Sequence, residues 1–300
     1  MCDKFISPNV FRIFATDNQK KAEMILEKEE IKLPEQQLKL VTAGWGNETV
    51  EETAVSSIVY NSDGLKVKGY VAYPKDQSKK YPCIIWNRGG ARKRGVIDEF
   101  NARGVFGKIA SWGYVVFASM YRGSIKGEGC DMFGGEDVND VLNLIPLADE
   151  IPAADKNSWG IEGWSRGGLM TYLTLLRSNI FKAAVTTGGI SDLGKIYHAN
   201  KLFHTYYTDF FKGKELNEEL SKRSPIESAE KFPKGTNYLI MHGGKDETVP
   251  PNQSFHLGEK LTEYGYNTRL VIFEGGDHYL KRHRKETETL REYWYKKYLG

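Results

Sequence analysis

The pentapeptide Gly163-Trp164-Ser165-Arg166-Gly167 constrains this chain more than any other stretch, because of what flanks it. Upstream, Asn157-Ser-Trp-Gly-Ile-Glu162 is short and partly apolar, as a strand is. Downstream, Gly168-Leu-Met-Thr-Tyr-Leu-Thr-Leu-Leu-Arg177 carries apolar residues at helical spacing. A G-x-S-x-G between strand and helix is a nucleophile elbow, where small flanking residues let the chain turn sharply enough to present the serine. The helix N-terminus then points at Ser165. Its dipole and free N–H groups favour negative charge there, so the Arg166 N–H is the expected first donor to an oxyanion. Taken alone, the pentapeptide also fits an ordinary glycine-rich turn with an incidental serine.

A serine hydroxyl is a poor nucleophile until a base takes its proton, and the base needs an acid to fix its tautomer. Strand-like Asn237-Tyr-Leu-Ile-Met241 runs into a loop that carries Asp246, and Val271-Ile-Phe-Glu274 runs into a loop that ends at His278. The chain order Ser165, Asp246, His278 is that of α/β-hydrolases. His242 rivals His278, but it directly precedes the Asp246 loop and suits shaping it. Asp277 adjoins His278, and neighbouring side chains diverge; Glu247 is the nearest rival to Asp246. The second oxyanion donor is expected from Asn87-Arg88-Gly89-Gly90, with Arg88 acting through either its backbone or its guanidinium. Arg88, Arg92, Lys93 and Arg94 make this rim positive, either to attract a substrate carboxylate or simply as a solvated loop.

Around this constellation the pattern is that of an α/β fold. Val55–Tyr60 and Leu65–Tyr73 alternate on either side of Asn61-Ser-Asp-Gly64, a β-hairpin signature. Strands at 81–86, 112–118, 157–162, 181–186, 237–241 and 268–273 then alternate with helical stretches, including 105–110, 136–145 and 282–298. This predicts a mostly parallel sheet covered by helices on both faces, with ligands at the C-terminal strand ends. Residues 1–45 read as an accessory helical segment, with Asp17 capping a helix through Ala22, Ile25 and Leu26 that ends before Pro34. Residues 46–300 read as the catalytic domain. Within it, about 192–233 lacks a strand and carries His198, His204, Tyr206, Tyr207, Phe210 and Phe211, as a lid-like helical insertion or a helical pair with a plain aromatic core. Trp164, Tyr121, Tyr206, Tyr207 and Phe210 are the candidate substrate-binding residues. A net charge of +3 without a basic stripe predicts neither a nucleic-acid nor a membrane partner. Cys2, Cys83 and Cys130 suggest a reducing compartment better than a disulfide framework, and no segment has the length of a membrane span, so the expected location is cytoplasmic. The oligomeric state is not readable.

On these residues the sequence resembles the catalytic domain of the prolyl oligopeptidase family, over about residues 54 to 298. The resemblance is carried by Ser62-Asp-Gly-Leu-Lys-Val-Lys-Gly69, Arg88-Gly-Gly90, Tyr121-Arg-Gly-Ser124, Gly134-Gly-Glu-Asp137, Gly163-Trp-Ser-Arg-Gly-Gly168, His242-Gly-Gly-Lys-Asp246 with Val249-Pro250, and Gly275-Gly-Asp-His278. It implies an α/β-hydrolase fold, a Ser165, Asp246, His278 triad, no metal or organic cofactor, and action mostly on peptides or acylated and prolyl N-terminal units. Two departures matter. Many members carry an N-terminal β-propeller that restricts entry to short peptides, and the residues before Ala54 are too few to build one. Arg88 also stands where the family often has tyrosine or histidine, so a tyrosine hydroxyl cannot be assumed as a donor. The expectation is a serine hydrolase that cleaves peptide or amide bonds of short peptides through an acyl-enzyme on Ser165. The alternatives are a carboxylesterase acting on small acyl esters, since relatives without a propeller include esterases, and a catalytically idle hydrolase-fold binding protein.

Overall fold

The computed structural model describes residues 23–300 apart from Lys126, and only the backbone of Leu202. Nine strands form one sheet: β1 (Ile25–Glu30), β2 (Thr53–Ser62), β3 (Leu65–Pro74), β4 (Tyr81–Asn87), β5 (Val115–Ser119), β6 (Ala154–Trp164), β7 (Phe181–Thr187), β8 (Asn237–Gly243) and β9 (Thr268–Phe273). The helices are α1 (Glu35–Trp45), α2 (Glu48–Glu51), α3 (Glu99–Ser111), α4 (Val138–Leu142), α5 (Arg166–Leu175), α6 (Leu193–Ala199), α7 (Lys201–Phe210), α8 (Leu216–Lys222), α9 (Asn252–Glu263) and α10 (Arg284–Leu299).

The β2–β3 hairpin closes through Asp63 and Gly64, both at positive φ, 54° and 84°, the backbone that a two-residue turn needs to match strand twist. Strand order is β1-β2-β3-β5-β4-β6-β7-β8-β9, antiparallel up to β5 and parallel from β5 through β4 to β9. The chain leaves β4 for β5 on one side and returns across it to β6 on the other. That reversal opens a crevice at the C-terminal ends of β4 and β6. Their register pairs Asn87 with Gly163, so the Arg88 loop and the Ser165 turn emerge side by side.

Alternate residues of each strand feed two cores. Ile85, Phe117, Trp159 and Ile161 pack on one face under Val141, Leu169, Met170, Leu257 and Leu261 of α4, α5 and α9. Ile84, Val116, Val185 and Leu239 pack on the other, under Phe106 and Ile109 of α3 and Trp294 and Tyr295 of α10. The doubly covered, mostly parallel sheet expected from the sequence is the architecture found. Among the described residues no helix is long and apolar enough to cross a membrane.

Two expectations need correction. The helix expected through Ile25 and Leu26 up to Pro34 does not form there: Ile25–Glu30 is a strand, antiparallel to β2. Helix propensity is a weak prior, and here the otherwise open ladder of β2 outweighs it. Pro34 precedes α1 instead of ending a helix, with the φ of −57° that proline imposes and a first turn accepts. Asp17 and Ala22 lie outside the described residues. The helix expected over 136–145 shortens to α4, and a 3-10 turn at Ile145–Glu150 follows, because Pro146 lacks the N–H that would extend α4. Residues 192–233 form α6, α7, α8 and a 3-10 turn, with Phe203, Tyr207, Phe210 and Phe211 gathered on or beside α7.

Candidate active site

Ser165 sits between β6 and α5 at φ 59°, ψ −122°, a conformation that costs a non-glycine residue about 1–3 kcal/mol and needs surrounding structure to hold it. The Ser165 N–H donates to Thr187 O at 2.9 Å. Gly167 lets β4 and α5 approach: a Cβ there would lie 2.0 Å from Asn87 O and 3.0 Å from Arg88 O. Gly167→Ala is therefore expected to lower stability by about 3 kcal/mol, since backbone rather than a side-chain tip must yield. A thermal midpoint equal to that of the unsubstituted protein would show instead that β4 and α5 can separate freely.

His278 Nε2 lies 3.0 Å from Ser165 Oγ, and its Nδ1 lies 2.6 Å from Asp246 Oδ2. A carboxylate only accepts, so Nδ1 carries the proton and the Nε2 lone pair faces the serine hydroxyl. Asp246 is fixed from its other side, where Oδ1 accepts the N–H groups of Thr248 and Val249 at 2.9 and 2.8 Å. Burial favours the neutral acid, but hydrogen bonds from His242 and His278 outweigh it and hold Asp246 well below the usual carboxylate range. Gly188, unremarked in the sequence, borders this pair at φ 55°; a Cβ would come 3.3 Å from Asp246 Oδ2 and 3.4 Å from His278 Nδ1.

The structure settles the place of His242. Fully buried, it donates from Nε2 to Val249 O at 2.8 Å, and the same nitrogen lies 3.2 Å from Asp246 Oδ2. Its Nδ1 lies 2.6 Å from Ser254 Oγ. With both nitrogens engaged there, His242 shapes the aspartate loop and does not meet Ser165. Trp164 holds the other imidazole: its Nε1 donates to His278 O at 2.9 Å and its ring lies 4.9 Å from the His278 ring.

Arg88 differs from what a positive rim would suggest. The Arg88 guanidinium is buried and donates to the carbonyls of Gly89, Arg94 and Met120 at 3.0–3.1 Å, with Arg92 O at 3.4 Å. Any donation to an oxyanion from this residue must come from backbone. Burial first, then the charge of Arg166, lowers Arg88 to about 10, so it stays cationic at neutral pH. The Arg166 side chain is buried too, bound to both oxygens of Asp131 at 2.7 Å, to Asp137 at 2.7 Å and to Gly90 O at 3.0 Å. Its N–H, in the first turn of α5, has no intrahelical acceptor. Burial opposes ionisation of both carboxyls, yet Arg166 holds Asp131 low, while Asp137 beside that charge is raised. Sequence reasoning missed Asp131, since an acidic residue in a glycine-rich loop carries no mark of burial, and held Asp137 only as part of the Gly134-Gly-Glu-Asp137 motif, without its partner Arg166.

Of the candidate substrate-binding residues, Tyr121 and Tyr207 are corrected. Both are fully buried. The Tyr121 ring lies between the guanidinium groups of Arg88 and Arg166, 4.9 and 5.1 Å from its centroid, and its hydroxyl donates to Arg88 O at 3.3 Å. Tyr207 packs against Phe133, 5.0 Å between ring centroids. Tyr207 follows the plain aromatic core alternative for the 192–233 insertion, and Tyr121 is likewise core. Trp164, Tyr206 and Phe210 keep partly open surfaces, with Arg94 5.3 Å over Tyr206 and Arg92 4.4 Å over Phe210. Arg92 also pairs with Asp209 of α7 at 2.8 Å, both side chains exposed. Among the described residues no cluster of three or more His, Cys, Asp or Glu is placed to hold a metal ion.

The chain is 31% identical over 275 residues to the uncharacterized peptidase YtmA of Bacillus subtilis (strain 168), covering 90% of this chain and 98% of YtmA. It is also 31% identical to the uncharacterized peptidase YuxL of the same organism, over 73% of this chain but only 34% of YuxL. Among solved structures, Pyrococcus horikoshii acylaminoacyl peptidase superposes with a TM-score of 0.72 at 25% identity, covering 83% of this chain and 42% of that one. The chain thus spans nearly all of one relative and less than half of the longer ones. The family model described as "Prolyl oligopeptidase family" matches residues 103–300, which include the elbow, the aspartate loop and the histidine loop. The chain belongs to the prolyl oligopeptidase family.

Proposed function

We propose that this protein is a serine peptidase that cleaves amide bonds of short peptides through an acyl-enzyme on Ser165. The observation that carries the reading is the unbroken relay from Ser165 Oγ through His278 to Asp246, at 3.0 and 2.6 Å, on an elbow at positive φ. Ser165 Oγ attacks the scissile carbonyl while His278 Nε2 takes its proton. The resulting oxyanion is held by the Arg166 N–H and a backbone N–H of the Arg88–Gly89 loop. The imidazolium, stabilised by Asp246, gives its proton to the leaving amine and the C–N bond breaks. Water then enters, His278 takes one of its protons, and the acid leaves as the proton returns to Ser165.

Residues 192–233 serve in this reading as a lid, because α7 reaches the rim through Arg92–Asp209 and presents Tyr206 and Phe210 beside it. A net charge of +3 supports neither nucleic acid nor membrane as a partner. The cysteines do not support a cytoplasmic location: Cys83 is a free, buried thiol, but Cys130 is disulfide-bonded, and disulfides are rare in reducing compartments.

Turnover of an aminoacyl or prolyl anilide is to be compared with that of the matching phenyl ester, using the unsubstituted protein and Ser165→Ala in parallel. Anilide cleavage that vanishes in the variant is the expected result. Ester cleavage alone would mean that the site releases good leaving groups but does not protonate a departing amine, and the protein would then be a carboxylesterase. No turnover of either substrate would leave an idle binding protein.

A further inference from the structure

The loop after β4 is organised around inward-pointing carbonyls. Arg88 collects those of Gly89, Arg92 and Arg94, and Arg166 Nη1 collects that of Gly90 at 3.0 Å. In a trans peptide the C=O and the following N–H point in opposite directions, so each inward carbonyl turns the next N–H outward. Tyr121 does the same for the unit that matters most: its hydroxyl holds Arg88 O at 3.3 Å, which turns the Gly89 N–H away from the core.

Arg92 breaks this pattern. It stands at φ 53°, a left-handed conformation uncommon for a residue with a side chain, and its N–H turns inward to Asp131 Oδ2 at 2.6 Å. Asp131 is only 3% exposed at its side chain and receives three further hydrogen bonds. The Phe133 N–H reaches Oδ1 at 3.1 Å, and the two terminal nitrogens of Arg166 reach Oδ2 and Oδ1 at 2.7 Å each. One carboxylate therefore binds both the loop that supplies one oxyanion donor and the residue that supplies the other. A bidentate guanidinium–carboxylate pair fixes separation and plane together. Arg166 is buried against both Asp131 and Asp137, while the buried Arg88 bonds only to carbonyls.

We propose that Asp131 is a positioning residue for acyl transfer, which sets the spacing between the Arg166 N–H and the Gly89 loop that an oxyanion requires. This rests on the serine-peptidase reading above. Asp131 touches no substrate; it acts on the geometry of both donors, and that geometry matters most when the carbonyl oxygen becomes an oxyanion.

Two variants test it. Asp131→Asn keeps the volume but loses the charge and one acceptor for Arg166. Asp131→Glu keeps the charge and displaces it by one methylene. In each, kcat is expected to fall by about 30- to 100-fold with KM within about threefold, as for a donor misplaced by roughly 1 Å. The discriminating readout is a peptidyl trifluoromethyl ketone, whose adduct with Ser165 places an oxyanion in the hole. Its inhibition constant should rise in proportion to the loss of kcat/KM, while competitive inhibition by the product peptide stays unchanged. If the Asn variant does not fold, the Glu variant decides. A folded variant with kcat within threefold of the unsubstituted protein, or an inhibitor affinity that does not follow kcat/KM, overturns the proposal. An unsubstituted protein that neither labels with a fluorophosphonate nor turns over would overturn the serine-peptidase reading itself.

Discussion

Ser165→Ala is expected to abolish covalent labelling by a fluorophosphonate and to lower kcat by about a millionfold, the scale seen when a serine hydrolase loses its nucleophile. The size follows from what is removed. Oγ is the atom within 3.0 Å of His278 Nε2, and without it the imidazole has no hydroxyl to activate and no acyl-enzyme can form. Backbone donors and the binding surface remain, so a residual rate about a thousandfold above that in water is expected from them alone. Folding should survive, because alanine removes one hydroxyl and leaves in place the backbone bond from Ser165 N–H to Thr187 O that holds the turn. Labelling that persists in the variant would locate the nucleophile elsewhere and remove the basis of the assignment.

Asp246→Asn should lower kcat by about ten-thousandfold with the fold retained. The carboxylate accepts from His278 Nδ1 at 2.6 Å and thereby leaves the Nε2 lone pair for Ser165. An amide nitrogen at the same place would favour the other tautomer, which offers Ser165 an N–H instead of a base. The carboxylate also has a signature in stability. Burial raises the Asp246 pKa, and the hydrogen bonds from His242 and His278 more than reverse this, so the folded value lies below that of an unfolded aspartate, about 3.9. The stabilisation is then fully present above the unfolded value and is lost as pH falls through the folded one. Denaturant unfolding should find the variant less stable than the unsubstituted protein near neutral pH, with the gap narrowing in acid. A variant with more than a tenth of the normal kcat would take the orienting role from Asp246 and return attention to Glu247.

Much of the site was legible because its parts are encoded locally. A nucleophile elbow needs small residues within two positions of the serine, and Gly163 and Gly167 stand there. Asp246 and His278 each follow a strand whose apolar run marks its end, and parallel strands deliver such loops to one edge of the sheet. The hairpin was equally plain, since Asp63-Gly64 between alternating runs supplies the two positive φ values such a turn demands.

What the sequence left open turns on partners distant along the chain. Arg88, Arg92, Lys93 and Arg94 read alike as a cationic rim, yet Arg88 is buried under its own loop while Arg92 reaches an exposed carboxylate on α7. Tyr121 and Tyr207, candidates for substrate contact by sequence, are core, because burial depends on what packs opposite. Ile25–Glu30 became a strand only because β2 presented an open ladder. Asp131 and Asp137 acquire their meaning from Arg166, some thirty residues later. The sequence by itself determined the strand–turn–helix at Ser165, the chain order of Ser165, Asp246 and His278 at successive strand ends, and the doubly covered parallel sheet, since turn chemistry and residue periodicity are properties of neighbours in the chain. Only the tertiary structure decided which histidine meets the serine, which aromatics are hidden and which buried charges brace the loop after β4. Those outcomes depend on desolvation and on contacts across the sheet, and no local pattern records them.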